Sequence, residues 1–219
     1  MRAMSATTPP EKRIGKMLSA LQQSYPTATC SLAYSNPLEL LVATILSAQC
    51  TDVLVNKVTA DLFRTYRTAK DFATADLEQL TRDISRVNFY RNKAQRIQRA
   101  CRIILERFGG RVPERMEDLI TLPGVARKTA NVVLGNAFGV QAGIVVDTHV
   151  MRLSQRLGFS RQRDRDKIEQ DLMALVPAAQ WTRFGHQMIA HGRAICSAKT
   201  PRCRECPIGK TLCPSYEEK

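Results

Sequence analysis

Leu122-Pro123-Gly124-Val125-Ala126-Arg127-Lys128-Thr129-Ala130 is the stretch on which the reading of this chain turns. Proline fixes one backbone dihedral and glycine accepts the left-handed conformation, so Leu-Pro-Gly-Val predicts a tight hairpin. A short helix over Pro113 to Thr121 leads into it, and a helix from Ala126 to about Phe138 leads out. Two helices around such a turn make a helix-hairpin-helix. The turn offers backbone N–H groups and the positive end of a helix, a seat for a phosphate. Contacts of that kind fix position on a nucleic-acid backbone without reading its bases. Lys128 falls on the first turn of the second helix. Near that positive end the charged form of a lysine is disfavoured, which leaves more neutral amine. One segment therefore combines a backbone grip with a nucleophile. The plainer alternative is a structural hairpin in which Gly124 only makes the turn. A P-loop is set aside, because its pattern needs glycine directly before the lysine and Arg127 stands there.

Outward from the hairpin the pattern is helical nearly throughout. Asn36-Pro37-Leu38-Glu39 is a helix start, with Asn as cap, Pro at the first helical position and Glu to close a capping box. Leu40 to Leu46 is apolar on almost every face, which predicts a helix buried all round. Thr51-Asp52 caps the next. Leu77, Leu80, Ile84 and Val87 keep a helical spacing, as do Ala94, Ile97, Cys101, Ile104 and Phe108. Arg91, Lys93, Arg96, Arg99 and Arg102 are assigned to the start and outer face of that longer helix, and Gly109-Gly110 stops it. Gly139 to Val146 is a connector with one short extended candidate, Ile144-Val145-Val146. Asp147 then sits where a cap is wanted. No strand hairpin, repeat or low-complexity tract is found. The class is all-α.

The formal net charge of +13 suits a polyanionic partner, nucleic acid before an anionic membrane. No apolar run approaches the ~20 residues that span a bilayer. Met1 to Pro10 lacks the apolar core of a signal peptide and reads as a short disordered leader. A soluble, intracellular chain is expected. Of seven cysteines, Cys30, Cys50 and Cys101 read as reduced core residues. Cys196, Cys203, Cys206 and Cys213 crowd together, separated by six, two and six residues. Four thiolates so spaced can surround one metal centre. By chemistry alone an iron–sulfur cluster, a zinc ion and disulfides all stay open. Lys199, Arg202, Arg204 and Lys210 lie among them, placed to hold phosphates or to offset a cluster's negative charge.

Asp147, in Val145-Val146-Asp147-Thr148-His149, adds a second chemical group. A carboxylate at a helix start stays ionised through the dipole and backbone N–H groups. Its plain role is the cap. Facing one site with the Lys128 amine, it can also take protons while the amine attacks an electrophilic sugar carbon.

Leu122-Pro123-Gly124-Val125 with Lys128, then Val146-Asp147-Thr148-His149, then the C-x6-C-x2-C tail, in this order, resemble the endonuclease III family from about Asn36 to Cys213. The resemblance implies base excision repair by a bifunctional DNA glycosylase and lyase. Such an enzyme removes oxidised pyrimidines from duplex DNA and cleaves the abasic site by β-elimination through a lysine Schiff base. It implies two helical domains with DNA in the cleft between them. Residues 30–140 would form a six-helix barrel with the helix-hairpin-helix at about 113–138, and 1–29 plus 141–219 the iron–sulfur domain. Lys128 and Asp147 would be catalytic, and Cys196, Cys203, Cys206 and Cys213 would hold a [4Fe–4S] cluster. Gln49 would enter the space left by the flipped base, with Phe89 as a second wedge. Leu122, Gly124, Val125, Arg127, Thr129, His149, Lys199 and Arg202 complete the expected DNA contacts. The partner would be double-stranded DNA with damaged pyrimidines or abasic sites. The protein would be a monomer, associated with the nucleoid of a bacterial cytoplasm. Lys128 separates the chain from adenine-specific mismatch glycosylases, which carry serine there. Two departures stand out: Ala126 replaces a common glycine, and the last cysteine spacing is six where familiar bacterial members have five.

Overall fold

A computed structural model describes residues 8–217, so most of the leader expected at Met1 to Pro10 lies outside the described residues. Twelve α-helices run along them, with no strand among the described residues. In chain order they are α1 (Pro10–Ser24), α2 (Pro37–Ser47), α3 (Asp52–Thr65), α4 (Ala69–Thr74), α5 (Leu77–Asp83), α6 (Tyr90–Phe108), α7 (Met116–Leu119), α8 (Arg127–Ala137), α9 (Thr148–Arg156), α10 (Arg165–Leu175), α11 (Trp181–Ala194) and α12 (Gly209–Leu212). None is long and apolar enough to cross a membrane.

The chain divides into two compact units. One is Cys30–Ala142; the other joins the segment that ends at Thr29 to the segment that starts at Gly143. The first unit carries α2 to α8 around a core centred on α2. Leu38, Leu40, Leu41, Val42, Ala43, Ile45 and Leu46 are all buried there, as an apolar helix without a polar face requires. Fully burying each leucine contributes roughly 1.5–3 kcal/mol of transfer free energy. α2 packs against α3, α6 and α8, which brings the hairpin helix onto the centre of this core. The second unit packs α1, α9, α10, α11 and α12 around Met17, Leu21, Ile144, Val150, Leu153, Ile168, Leu172, Phe184 and Met188.

Helix starts follow side-chain chemistry with two adjustments. Asn36 Oδ1 accepts the Glu39 N–H at 3.0 Å. The Glu39 carboxylate turns instead to the N–H and hydroxyl of Ser35, at 2.6 and 2.8 Å, so the expected box closes one residue upstream. The helix expected over Pro113 to Thr121 is a single turn, Met116–Leu119, entered from an extended Arg115. At the other end of a helix, Gly109 is left-handed and the Gly110 N–H reaches back to Ile104 O at 3.0 Å.

One expectation is overturned. Lys93 is not on the outer face of α6 but 4 % exposed. It lies one and two turns before Ile97 and Ala100, on the stripe that faces the core. Of the three cysteines read as core residues, only Cys101 is buried; Cys30 and Cys50 are half-buried.

Candidate functional site

The hairpin between α7 and α8 is built as its sequence demands. Gly124 has a φ of +87°. A Cβ there would lie 3.3 Å from both Cβ and Cδ of Arg96 on α6, so the turn admits a residue without a side chain. Leu122 and Val125 are 2 % and 6 % exposed, and they anchor the turn to the core. The Val125 N–H is used within the turn, on Leu122 O at 3.0 Å. Both side chains face the core, so the turn offers a nucleic acid its backbone there, the role the hairpin pattern predicts. Arg127 and Thr129 are half-buried.

α8 starts without a side-chain cap, because Ala126 has no oxygen to offer. By contrast α2, α3, α4, α5, α9 and α10 are all capped by Asn, Thr or Asp. Lys128, on the first turn of α8, is exposed. Beside it, Asn92, Gln95, Arg96 and Arg99 of α6 face Pro123, Gly124, Val125 and Ala126 across a cavity of about 640 Å³. Arg96 and Arg99 are exposed, so the hairpin opens onto a basic wall.

Gln49 and Phe89 stand out by backbone conformation. They are the only non-glycine residues with positive φ among those described, at +56° and +57°. Both are exposed, Phe89 at 60 %. Left-handed backbone in such residues marks strain held by the surroundings, and it clusters at functional sites. The two loops are joined. Asn88 Nδ2 donates to Gln49 O at 2.7 Å, and Lys93 Nζ donates to Leu46 O and Ala48 O at 2.7 Å each. Neither Asn88 nor Lys93 was among the expected site residues.

In the second unit Asp147 caps α9. Its Oδ1 accepts the N–H groups of His149 and Val150, both at 2.8 Å. Oδ2 makes no hydrogen bond among the described residues. His149 is half-buried, its Nδ1 3.2 Å from Arg152 Nη2. A Cβ on Gly192 would come within 2.9 Å of that same nitrogen, so Gly192 exists to admit the ring. The visible role of His149 is packing between α9 and α11.

The four clustered cysteines line one cavity of about 210 Å³, together with Arg156, His191, Ile195 and Tyr216. Each is half-buried. No three His, Cys, Asp or Glu side chains among the described residues converge closely enough to hold a single ion. Arg156 Nη1 donates to Cys196 Sγ at 3.2 Å. Burial pushes the Cys213 thiol up to about 11, against the opposing pull of the Ser215 N–H, while the other thiols add to the rise. Cys206 is raised for the same first reason and takes N–H donors from Gly209 and Ile208. Behind it His191 Nε2 lies 3.7 Å from Cys206 Sγ, and Tyr25 Oη lies 3.1 Å from His191 Nδ1. Burial lowers His191 to about 4, which keeps the ring neutral. Lys199 is exposed in the loop between Cys196 and Cys203. Arg202 is tied down, to Glu205 Oε2 at 2.9 Å and to Ala194 O. It braces the loop while its side chain stays exposed.

Comparison with known proteins agrees with this geometry. Residues 42–178 match the HhH-GPD superfamily of base excision DNA repair proteins. Endonuclease III of Synechocystis sp. is 55% identical over 207 residues, covering 94% of each chain. A solved non-covalent endonuclease III–DNA complex superposes with a TM-score of 0.89 at 46% identity, covering 95% of this chain and 97% of that one. A trapped endonuclease III–DNA covalent intermediate superposes equally well, with a TM-score of 0.89 at 45% identity over 95% of this chain and 98% of that one.

Proposed function

The chain belongs to the endonuclease III family, and we propose that it removes oxidised pyrimidines from duplex DNA and cleaves the resulting abasic site. The observation that carries this reading is Lys128. It is an exposed amine on the first turn of a helix whose start no side chain caps, directly after a hairpin with buried anchors. The uncapped end and the Arg96–Arg99 wall of α6 suit a phosphate backbone beside the reacting sugar.

Lys128 Nζ attacks the anomeric carbon of the damaged nucleotide, and the base departs with the glycosidic electron pair and a proton. The sugar ring opens to an iminium on Lys128. Loss of a C2′ proton then breaks the C3′–O bond and releases the 3′ strand. Water hydrolyses the iminium and returns the amine. Asp147 serves as the carboxylate for these proton transfers, since its Oδ1 is held by two amides and Oδ2 is not. Gln49 and Phe89, exposed on strained backbone, fit the two wedges that enter the stack as the base leaves.

The donor set around the 210 Å³ cavity fits a [4Fe–4S] cluster. Four thiols line a space larger than a single ion, and N–H donors on the sulfurs suit thiolate ligands. Cys196, Cys203, Cys206 and Cys213 would hold it. When bound, such a cluster cross-links the loop and adds a redox-capable centre, which the lyase chemistry above does not require.

Borohydride reduction tests the central step. Wild-type protein should be trapped covalently on duplex DNA containing an abasic site, and Lys128→Gln should give no adduct. Full-yield trapping by Lys128→Gln would overturn the assignment. A panel of oxidised, alkylated and mismatched duplexes fixes the substrate class, with oxidised pyrimidines expected to be cut fastest.

A further inference from the structure

Lys93 is a buried cation with no part in the chemistry above. α6 places it one turn after Phe89, and its backbone N–H donates to Phe89 O at 3.0 Å. Its ammonium carries three donors. Two go to Leu46 O and Ala48 O at 2.7 Å each, and the third direction faces Cys50 Sγ at 3.5 Å. These groups close the C-terminal end of α2, where carbonyls lack helical partners and a cation is favoured. Asn88 completes the connection, with Nδ2 on Gln49 O at 2.7 Å and its backbone N–H 3.2 Å from Cys50 Sγ. Ala48, Gln49 and Cys50 are thus all held from the Asn88–Lys93 segment.

No carboxylate pairs with Lys93 among the described residues. Burying an ammonium on carbonyls alone carries a desolvation cost that an apolar residue of the same length avoids. Capping the end of α2 offsets part of that cost. The tethers add a reason of their own. The two non-glycine residues with left-handed backbone are Gln49 and Phe89, and Lys93 bonds to the turn that carries one and to the carbonyl of the other. Such backbone persists only where its surroundings over-determine it.

We infer that Lys93 is a positioning residue, whose buried ammonium clamps the Ala48–Cys50 turn to the start of α6 so that Gln49 and Phe89 are presented together. This rests on the reading of those two residues as wedges. A pair free to move would have to be ordered as the helix opens, and that entropy would be lost from the driving force for base flipping.

The test compares cleavage of one abasic site in duplex DNA with cleavage of the same site in single-stranded DNA. The single strand has no stack to open. Lys93→Met keeps the stem and removes the three donors. It should lower the duplex-to-single-strand rate ratio by about 10- to 100-fold. Asn88→Ala, at an exposed position, removes only the Gln49 tether and should lower the ratio by a smaller factor. Fluorescence of 2-aminopurine opposite the site, which reports unstacking, should fall in step. A ratio left unchanged by both variants, or an equal loss on both substrates, overturns the inference. Gln49→Ala and Phe89→Ala run alongside. If neither lowers the ratio, the wedge reading itself fails and the inference falls with it. If both lower it and Lys93→Met does not, the wedges stand and only the role of Lys93 is lost.

Discussion

Gly124 shows how much a single position settles. Its φ of +87° excludes most side chains on backbone energy alone, and the 3.3 Å approach to Arg96 adds a steric cost. Gly124→Ala should destabilise the protein by about 1–2 kcal/mol in urea unfolding. It should also weaken binding to abasic duplex DNA, because the turn that shapes the amide seat is disturbed. Unchanged stability with unchanged affinity would mean that the turn is not held as described. This residue was legible because Pro-Gly has one dominant local solution. Lys93 was not, because a lysine on a basic helix reads as solvated unless its place on the apolar stripe is given weight. Ile97 and Ala100, one and two turns on, carried that signal. Leu122 and Val125 show the converse: the motif marks them, but their side chains serve the core and leave only backbone to the site.

At the scale of elements, caps separate structural from chemical roles. Asp147 is both the cap of α9 and the proposed proton carrier, and substitution can part these roles. Asn caps a helix about as well as Asp, whereas Ala costs about 1 kcal/mol. Asp147→Asn should therefore keep the thermal stability of the wild type yet lose most strand cleavage. Asp147→Ala should lose both. Full cleavage by the Asn variant would reduce Asp147 to a cap. The starts of α2 and α9, the end of α6 and the span of α8 to within a residue were readable from periodicity and end signals, which act within one or two turns. The shortness of α7 was not, since no residue there forbids helix. Nor was the exchange of partners at Glu39, where Ser35 supplies two donors and draws the carboxylate away from the cap residue.

For the whole molecule, charge sets the terms of association. A net charge of +13 with arginines beside the hairpin predicts binding driven by displaced counterions. Binding of Lys128→Gln protein to abasic duplex DNA should weaken roughly 10³-fold between 50 and 200 mM salt if about six phosphates are engaged. A flat salt response, followed by fluorescence anisotropy, would remove the backbone-grip reading. The all-helical class, the turn at Gly124, the cap at Asp147 and the grouping of four cysteines were determined by sequence alone. Each depends on backbone preference or on spacing along the chain. Tertiary structure decided the rest: that Lys93 turns inward to the end of α2, that Gln49 and Phe89 share a strained, tethered arrangement, and that Arg202 braces its loop. Those outcomes are set by which carbonyls and side chains packing leaves without partners. Only the assembled helices show which groups are left.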